Sequence, residues 1–361
     1  MLNFLTKRLF YALLVLLGVV SLVFFLFNIL PGDPAKMMMG QRSNISTIES
    51  IHKELGLNRS KGMQYIKYLN DLSPVSFHHT ADADHYFYLD SANYNAKKLF
   101  SFSSGSAIVL KAPYLRRSYQ SKKQVSEIIK ETLPNTFILA LVSIVFASIL
   151  GVFLGIIAAI KKDRFFDRIS LLFSAFGMSV PSFFAAILIG WIFAFVLGDI
   201  TGLNVTGNLY EMDDFGEGVH LQLKNLILPA FTLGIRPLAI VVQLSRNSML
   251  DVLSQDYIRT AKAKGLSFRK IIWKHALKNS LNPVITAVSG WFASLMAGVV
   301  FIEYIFGWKG LGYVIVDSLN KYDFPVIMGC VLTIAVIFII INTLVDILYG
   351  ILDPRIRFDG N

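Results

Sequence analysis

Apolar residues along this chain come in long runs separated by short polar, basic pieces. The runs cover about residues 9–30, 132–160, 169–197, 226–249, 283–302 and 326–351. A helix needs roughly 20 apolar residues to cross the hydrocarbon core of a bilayer. Barrel strands need about half that length, and an open sheet edge cannot face lipid. The pattern predicts an all-α integral membrane protein with six transmembrane helices. Lys7 and Arg8 precede the first run as they would in a secretory signal. The apolar stretch from Leu9 to Leu30 is longer than a signal core and lacks a small-x-small cleavage site, so it reads as a retained span.

Composition agrees: 54% of residues are hydrophobic and 16% charged, against roughly 25% charged in soluble domains. A net charge of +10 would suit nucleic acid, but its placement argues for a membrane and against nucleic acid. With the first span starting inside, the cytoplasmic pieces 1–8, 161–168, 250–282 and 352–361 hold fifteen Lys and Arg, from Lys7 and Arg8 to Arg355 and Arg357. The two short outer loops hold only Lys224, Lys309 and Lys321. This asymmetry predicts that both termini are cytoplasmic. The long loop after the first span crosses regardless of its charge.

The chain divides at about residue 130. Residues 1–130 hold one span and a long extracytoplasmic segment, residues 131–350 hold the other five spans, and residues 351–361 form a cytoplasmic tail. Leu30-Pro31-Gly32-Asp33-Pro34 reads as a stop and turn. Residues 45–70 carry weak helical periodicity, and 71–120 read as irregular or short-strand structure. The His78–His85 patch matches no metal-site spacing and reads as a solvated loop. The single cysteine, Cys330, excludes a disulfide within the chain and reads as a packing residue.

Within the spans, small residues recur every four positions at Ala147, Gly151 and Gly155, and again at Gly290, Ser294 and Gly298. This spacing lets helix backbones approach closely in lipid. Ser294 and Gly298 are also candidates for the translocation pathway. Ionisable residues inside spans are costly and therefore functional candidates. Arg236 lies mid-span before Pro237. It reads either as an arginine paired within the bundle or as one lining a polar pathway, where its planar fork meets a carboxylate. Glu303, at the outer end of the fifth span, reads as interfacial. The sequence contains no phosphate loop, no H-E-x-x-H and no G-x-S-x-G. No catalytic residue, metal site or cofactor is expected in this chain, so it is not read as an enzyme. A nucleotide that powers it must be bound elsewhere.

One polar segment stands out between the fourth and fifth runs: Asp256-Tyr257-Ile258-Arg259-Thr260-Ala261-Lys262-Ala263-Lys264-Gly265. Ile258, Ala261 and Leu266 form its modest apolar set, and Gly265 fits the left-handed position that ends a helix. Ser267 then fits the cap of a second helix. Pattern alone leaves two readings open, a helix lying on anionic lipid or a docking element for a partner.

The sequence resembles the dipeptide/oligopeptide/nickel branch of ABC importer permeases. The segment from Asp256 through Ser267 carries that branch's version of the EAA loop, with Arg259, Thr260 and Ala261 at the E-A-A positions and Gly265 at the glycine. Leu30-Pro31-Gly32-Asp33-Pro34-Ala35, Thr132-Leu133-Pro134-Asn135-Thr136, Ser179-Val180-Pro181-Ser182-Phe183 and the run from Glu303 to Gly312 also match. So do Tyr322-Asp323-Phe324-Pro325-Val326 and Leu352-Asp353-Pro354-Arg355-Ile356-Arg357. The resemblance covers residues 1–70 and 125–357, and the stretch 71–120 is longer than usual for the branch.

The resemblance implies the type I permease fold and a sister permease subunit, as a heterodimer. It also implies two ATPase subunits that bind ATP and magnesium, and an extracytoplasmic solute-binding protein. Asp256–Gly265 would be the coupling helix of an alternating-access importer of dipeptides or oligopeptides. Nickel chelates and glutathione are the alternative substrates. An ion-coupled secondary carrier would need more buried carboxylates than Asp346.

Overall fold

In the computed structural model of the chain, residues 2–28, 52, 58–91, 93–103, 105–212 and 218–352 are described. The Leu30–Pro34 turn, most of the 45–60 periodicity and the tail with Arg355 and Arg357 lie outside these residues. The helices in chain order are α1 (Leu2–Asn28), α2 (Lys61–Leu72), α3 (Val125–Ile160), α4 (Phe165–Ser179) and α5 (Ser182–Gly190). They continue with α6 (Lys224–Leu253), α7 (Asp256–Ala263), α8 (Asn282–Gly298), α9 (Val300–Ile305), α10 (Leu311–Asn320) and α11 (Phe324–Leu352). Strands β1 (Val75–His79), β2 (Ala96–Ser101) and β3 (Ser106–Lys111) lie between α2 and α3. The chain forms two compact units, residues 1–4, 133–313 and 337–361, and residues 5–132 and 314–336.

Four described helices are long and apolar enough to cross a membrane: Thr6–Asn28, Val125–Ile160, Lys224–Leu253 and Phe324–Ile347. The expected third span over 169–197 is not one straight helix. α4 and α5 meet at 109° across Val180-Pro181. Pro181 has no N–H to donate and disfavours helical backbone in the residue before it. Val180 is accordingly extended, at φ −75° and ψ 128°. The expected fifth span over 283–302 is also interrupted, since α8 ends at Gly298 and α9 resumes at Val300.

The core of the first unit gathers Leu139, Met296, Ile302, Phe306 and Trp308. α3 lies close on α6 at two glycines of α3. A Cβ at Gly151 would sit 2.7 Å from Val241 Cγ1, and one at Gly155 would sit 2.6 Å from Ser245 Cβ. Ala147 is fully buried. Gly151 and Gly155 make the close approach that the small-residue spacing predicts. Gly290 does not: a Cβ there would meet nothing within 4 Å. The same spacing on α8 packs against no other described helix at that point.

The second unit contains an antiparallel sheet of order β1-β3-β2. β1 and β3 pair Val75 with Leu110 through to His79 with Ser106. The short-strand expectation for 71–120 therefore resolves into a small folded sheet. The solvated-loop expectation fails for His78, which is fully buried in β1. Its ring stands edge-on to Tyr94 at 4.7 Å, and its Nε2 lies 3.1 Å from Ser76 Oγ.

Candidate functional site

The segment Asp256–Gly265 forms a surface helix held at two points. Ile258 and Ala261, one turn apart, are buried against Ile156, Met249, Ile271, Ile272 and Ala276. Fully burying one isoleucine contributes about 1.5–3 kcal/mol, so Ile258 is the main apolar anchor of this helix. Asp256, Tyr257, Arg259, Thr260, Lys262, Ala263, Lys264 and Gly265 are exposed. Asp256 accepts from Arg259 at 3.2 Å, and the Thr260 hydroxyl donates to the Asp256 carbonyl.

The helix stops as its sequence requires. Gly265 takes φ +74°. Its N–H donates to the Lys262 carbonyl at 2.9 Å, and the Leu266 N–H donates to the Ala261 carbonyl at 3.3 Å. These are the paired bonds of a Schellman stop, and Leu266 packs beside Ile258 and Ala261 as the accompanying apolar contact. Ser267 has the extended backbone of a cap residue, but its hydroxyl makes no capping bond. The chain then passes through a π-helical turn, Ile271–Ala276, that buries Ile271, Ile272 and Ala276.

Arg236 and Ser294 line one cavity of about 100 Å³, together with Val180, Ser182, Thr232 and Trp291. The cavity lies at the bend between α4 and α5. Arg236 is exposed and forms no ion pair among the described residues. Arg236, Ser182, Thr232 and Ser294 are the polar members of an otherwise apolar lining. Gly298 closes α8, and its surroundings lie outside the described residues.

Glu303, at the outer end of the fifth run, is fully buried within the protein. Its Oε2 accepts the N–H groups of Gly312 at 2.7 Å and Tyr313 at 3.2 Å. A carboxylate inside an apolar bundle is tolerated when backbone donors converge on it. The glycines of the Glu303–Gly312 run make this possible. A Cβ at Gly310 would overlap the Glu303 carboxylate, and one at Gly312 would overlap Val300. The same knot ties in the Thr132–Thr136 motif. Asn135 Nδ2 donates to the Lys309 carbonyl at 2.8 Å, Trp308 Nε1 donates to the Asn135 carbonyl at 3.0 Å, and the Leu311 N–H donates to Thr136 Oγ1 at 2.8 Å.

A second buried charge was missed by the sequence reading. Asp167 accepts two bonds from Arg246, at 2.5 Å and 2.7 Å, and a third from the Asp163 N–H. Opposite charges at the ends of neighbouring apolar runs were the available signal. In the second unit, burial and the nearby Lys67 and Lys111 ammoniums hold His78 down to about 4. Burial brings Lys111 down to about 8.

The family profile described as "binding-protein-dependent transport system inner membrane component" matches residues 151–358, and its N-terminal companion matches residues 1–84. The chain is 34% identical to the dipeptide transport system permease protein DppB of Alkalihalophilus pseudofirmus, over 99% of this chain and all of that one. It is 32% identical to the di/tripeptide transport system permease protein DppB of Pseudomonas aeruginosa, over 99% of each chain. It is 31% identical to the glutathione transport system permease protein GsiC of Salmonella paratyphi A, over 99% of this chain and all of that one. Its fold is similar to that of the inward-facing MetNI methionine ABC transporter, with a TM-score of 0.50 at 13% identity, covering 63% of this chain and 97% of the other. The family profile over residues 151–358 and the 34% identity over nearly the whole chain show the family: the chain belongs to the inner-membrane permease components of binding-protein-dependent ABC importers.

Proposed function

We propose that this chain is the membrane-spanning subunit of an ATP-driven importer of short peptides, working by alternating access with α7 as its coupling helix. ABC permeases of this family leave ATP hydrolysis to separate ATPase subunits and receive substrate from a binding protein. The observation that carries the reading is the build of α7. It is anchored by two apolar residues, stopped by Gly265, and exposes every other position. Such a helix offers a rigid polar surface that a partner can move as a unit. A partner whose ATP-bound and ATP-free states grip α7 differently biases the two states of the pathway.

The finer assignments follow from the charge pattern and the family. Six spans with both termini cytoplasmic put α7 on the ATPase side. A sister permease, as a heterodimer, faces the side of α8 where Gly290 and Ser294 are exposed. Arg236, with Ser294, lines the pathway and meets the substrate carboxylate. Relatives named for dipeptides and di/tripeptides support a peptide substrate, and the relative named for glutathione, itself a small peptide, supports that variant of the same reading. The test is ATP-dependent uptake by the reconstituted complex. Arg236→Ala is expected to lower peptide uptake about tenfold or more, with the complex still assembled. Unchanged uptake removes Arg236 from the pathway.

A further inference from the structure

The first unit holds a second cavity, of about 480 Å³, within the range of small-ligand sites. It shares no lining residue with the one at Arg236. One wall is a stripe of α6 and its cap residue: Leu223, Leu226, Ile227, Ala230 and Phe231 line it at the spacings that keep residues on one helix face. Val142 and Phe146 of α3 line it too, as does Phe193 of the π-helical turn Trp191–Val196. Phe146 and Phe231 stand ring to ring at 5.7 Å. Gly234 leaves room for Phe146, since a Cβ there would lie 3.1 Å from Phe146 Cδ1. No lining residue carries a polar side chain. Val142, Ile227 and Phe231 are exposed, so the cavity opens on the surface of the spans.

Depth, charge and size point to one occupant. α6 is long and apolar enough to cross the membrane. From Lys224 to Phe231 it rises about 10 Å, against roughly 15 Å for half the hydrocarbon core. The cavity therefore lies at the depth of the acyl chains of a single leaflet. Lys224 stands at the polar end, one turn before the lining residues Ile227 and Leu228. It is exposed, and it forms no ion pair among the described residues. An ammonium at headgroup level attracts an anionic lipid. A partner helix does not fit, because it is about 10 Å across and two turns of it fill roughly 800 Å³.

We propose that this cavity holds one acyl chain of an anionic phospholipid, whose headgroup phosphate meets Lys224. The site rests on α6 spanning the bilayer and is independent of what is transported. The test is native mass spectrometry of the intact, delipidated complex, titrated with palmitoyl-oleoyl phosphatidylglycerol, the matching phosphatidylcholine, and oleate. Phosphatidylglycerol is expected to give a saturable adduct and to bind about fivefold more tightly than phosphatidylcholine. Ile227→Trp, whose indole fills the mouth, should remove that adduct. Lys224→Gln should bring phosphatidylglycerol down to the level of phosphatidylcholine. Each variant is read only as intact complex, and the three-ligand comparison on the unaltered complex stands even if a variant fails to assemble. No saturable adduct, equal binding of the two phospholipids, or the same adducts in Ile227→Trp would mean annular lipid only and overturn the site. Oleate binding as tightly as phosphatidylglycerol would hand the cavity to a free fatty acid and overturn the phospholipid assignment.

Discussion

The knot around Glu303 and the surface helix α7 are held in opposite ways. At the knot, a fully buried carboxylate, two backbone donors, two close glycines and a motif some 170 residues away interlock. α7 rests on Ile258 and Ala261 and turns its polar groups outward. A buried polar network fixes one arrangement, because any displacement strands its donors. An apolar seat under a rigid rod tolerates motion of the whole body and offers the outer face to a partner. Under the proposed function, the knot belongs to the part of the permease that must keep its shape, and α7 to the part that transmits force.

The largest effect is expected from breaking the knot. Glu303→Ala strands the Gly312 and Tyr313 donors at roughly 1–3 kcal/mol each, so the amount of assembled complex in the membrane should fall sharply. Glu303→Gln keeps an acceptor oxygen and should retain much of it. Equal yields of all three proteins would show that the knot is dispensable. Next comes the seat of the rod. Ile258→Ala should cost about 2–5 kcal/mol locally. Limited proteolysis between α6 and α8 should accelerate, with the membrane bundle intact and uptake lost. Unaltered proteolysis and uptake would place the anchor elsewhere. The smallest effect concerns the exposed pair of Asp256 and Arg259, whose side chains are 93% and 74% exposed. Arg259→Ala should leave the melting temperature unchanged, because exposed pairs contribute a few tenths of a kcal/mol. Any loss of uptake in that variant then belongs to partner contact. A clear drop in melting temperature would mean that α7 is braced by its own charges.

Much of this was readable in the sequence, and the failures share a cause. Apolar run length located the helices, and a glycine after an amphipathic stretch located the stop at Gly265, because both signals are local. Gly151 and Gly290 carry the same four-residue spacing, yet only Gly151 meets a neighbour. Spacing shows that a helix is thin on one side and says nothing about what lies there. The burial of Glu303 was not readable because its donors come from backbone about ten residues ahead, which composition cannot reveal. Ser179–Phe183 was recognisable as a motif without its 109° bend, since a proline permits a kink but tertiary packing sets its angle. The sheet around His78 depends on pairing across loops, which alternation over five or six residues signals weakly. Arg236 and Ser294, chosen separately, do meet at one cavity.

The most direct test of the coupling assignment compares peptide uptake per ATP hydrolysed in the reconstituted complex for wild type, Gly265→Val and Gly265→Asn. Gly265 has open space around it but a positive φ. Valine therefore strains the backbone by about 1–3 kcal/mol without a clash, while asparagine tolerates that conformation. The account predicts ATP hydrolysis in all three, a severalfold or greater loss of uptake per ATP with valine, and recovery with asparagine. An unchanged ratio in the valine variant would contradict the claim that α7 transmits the ATPase stroke.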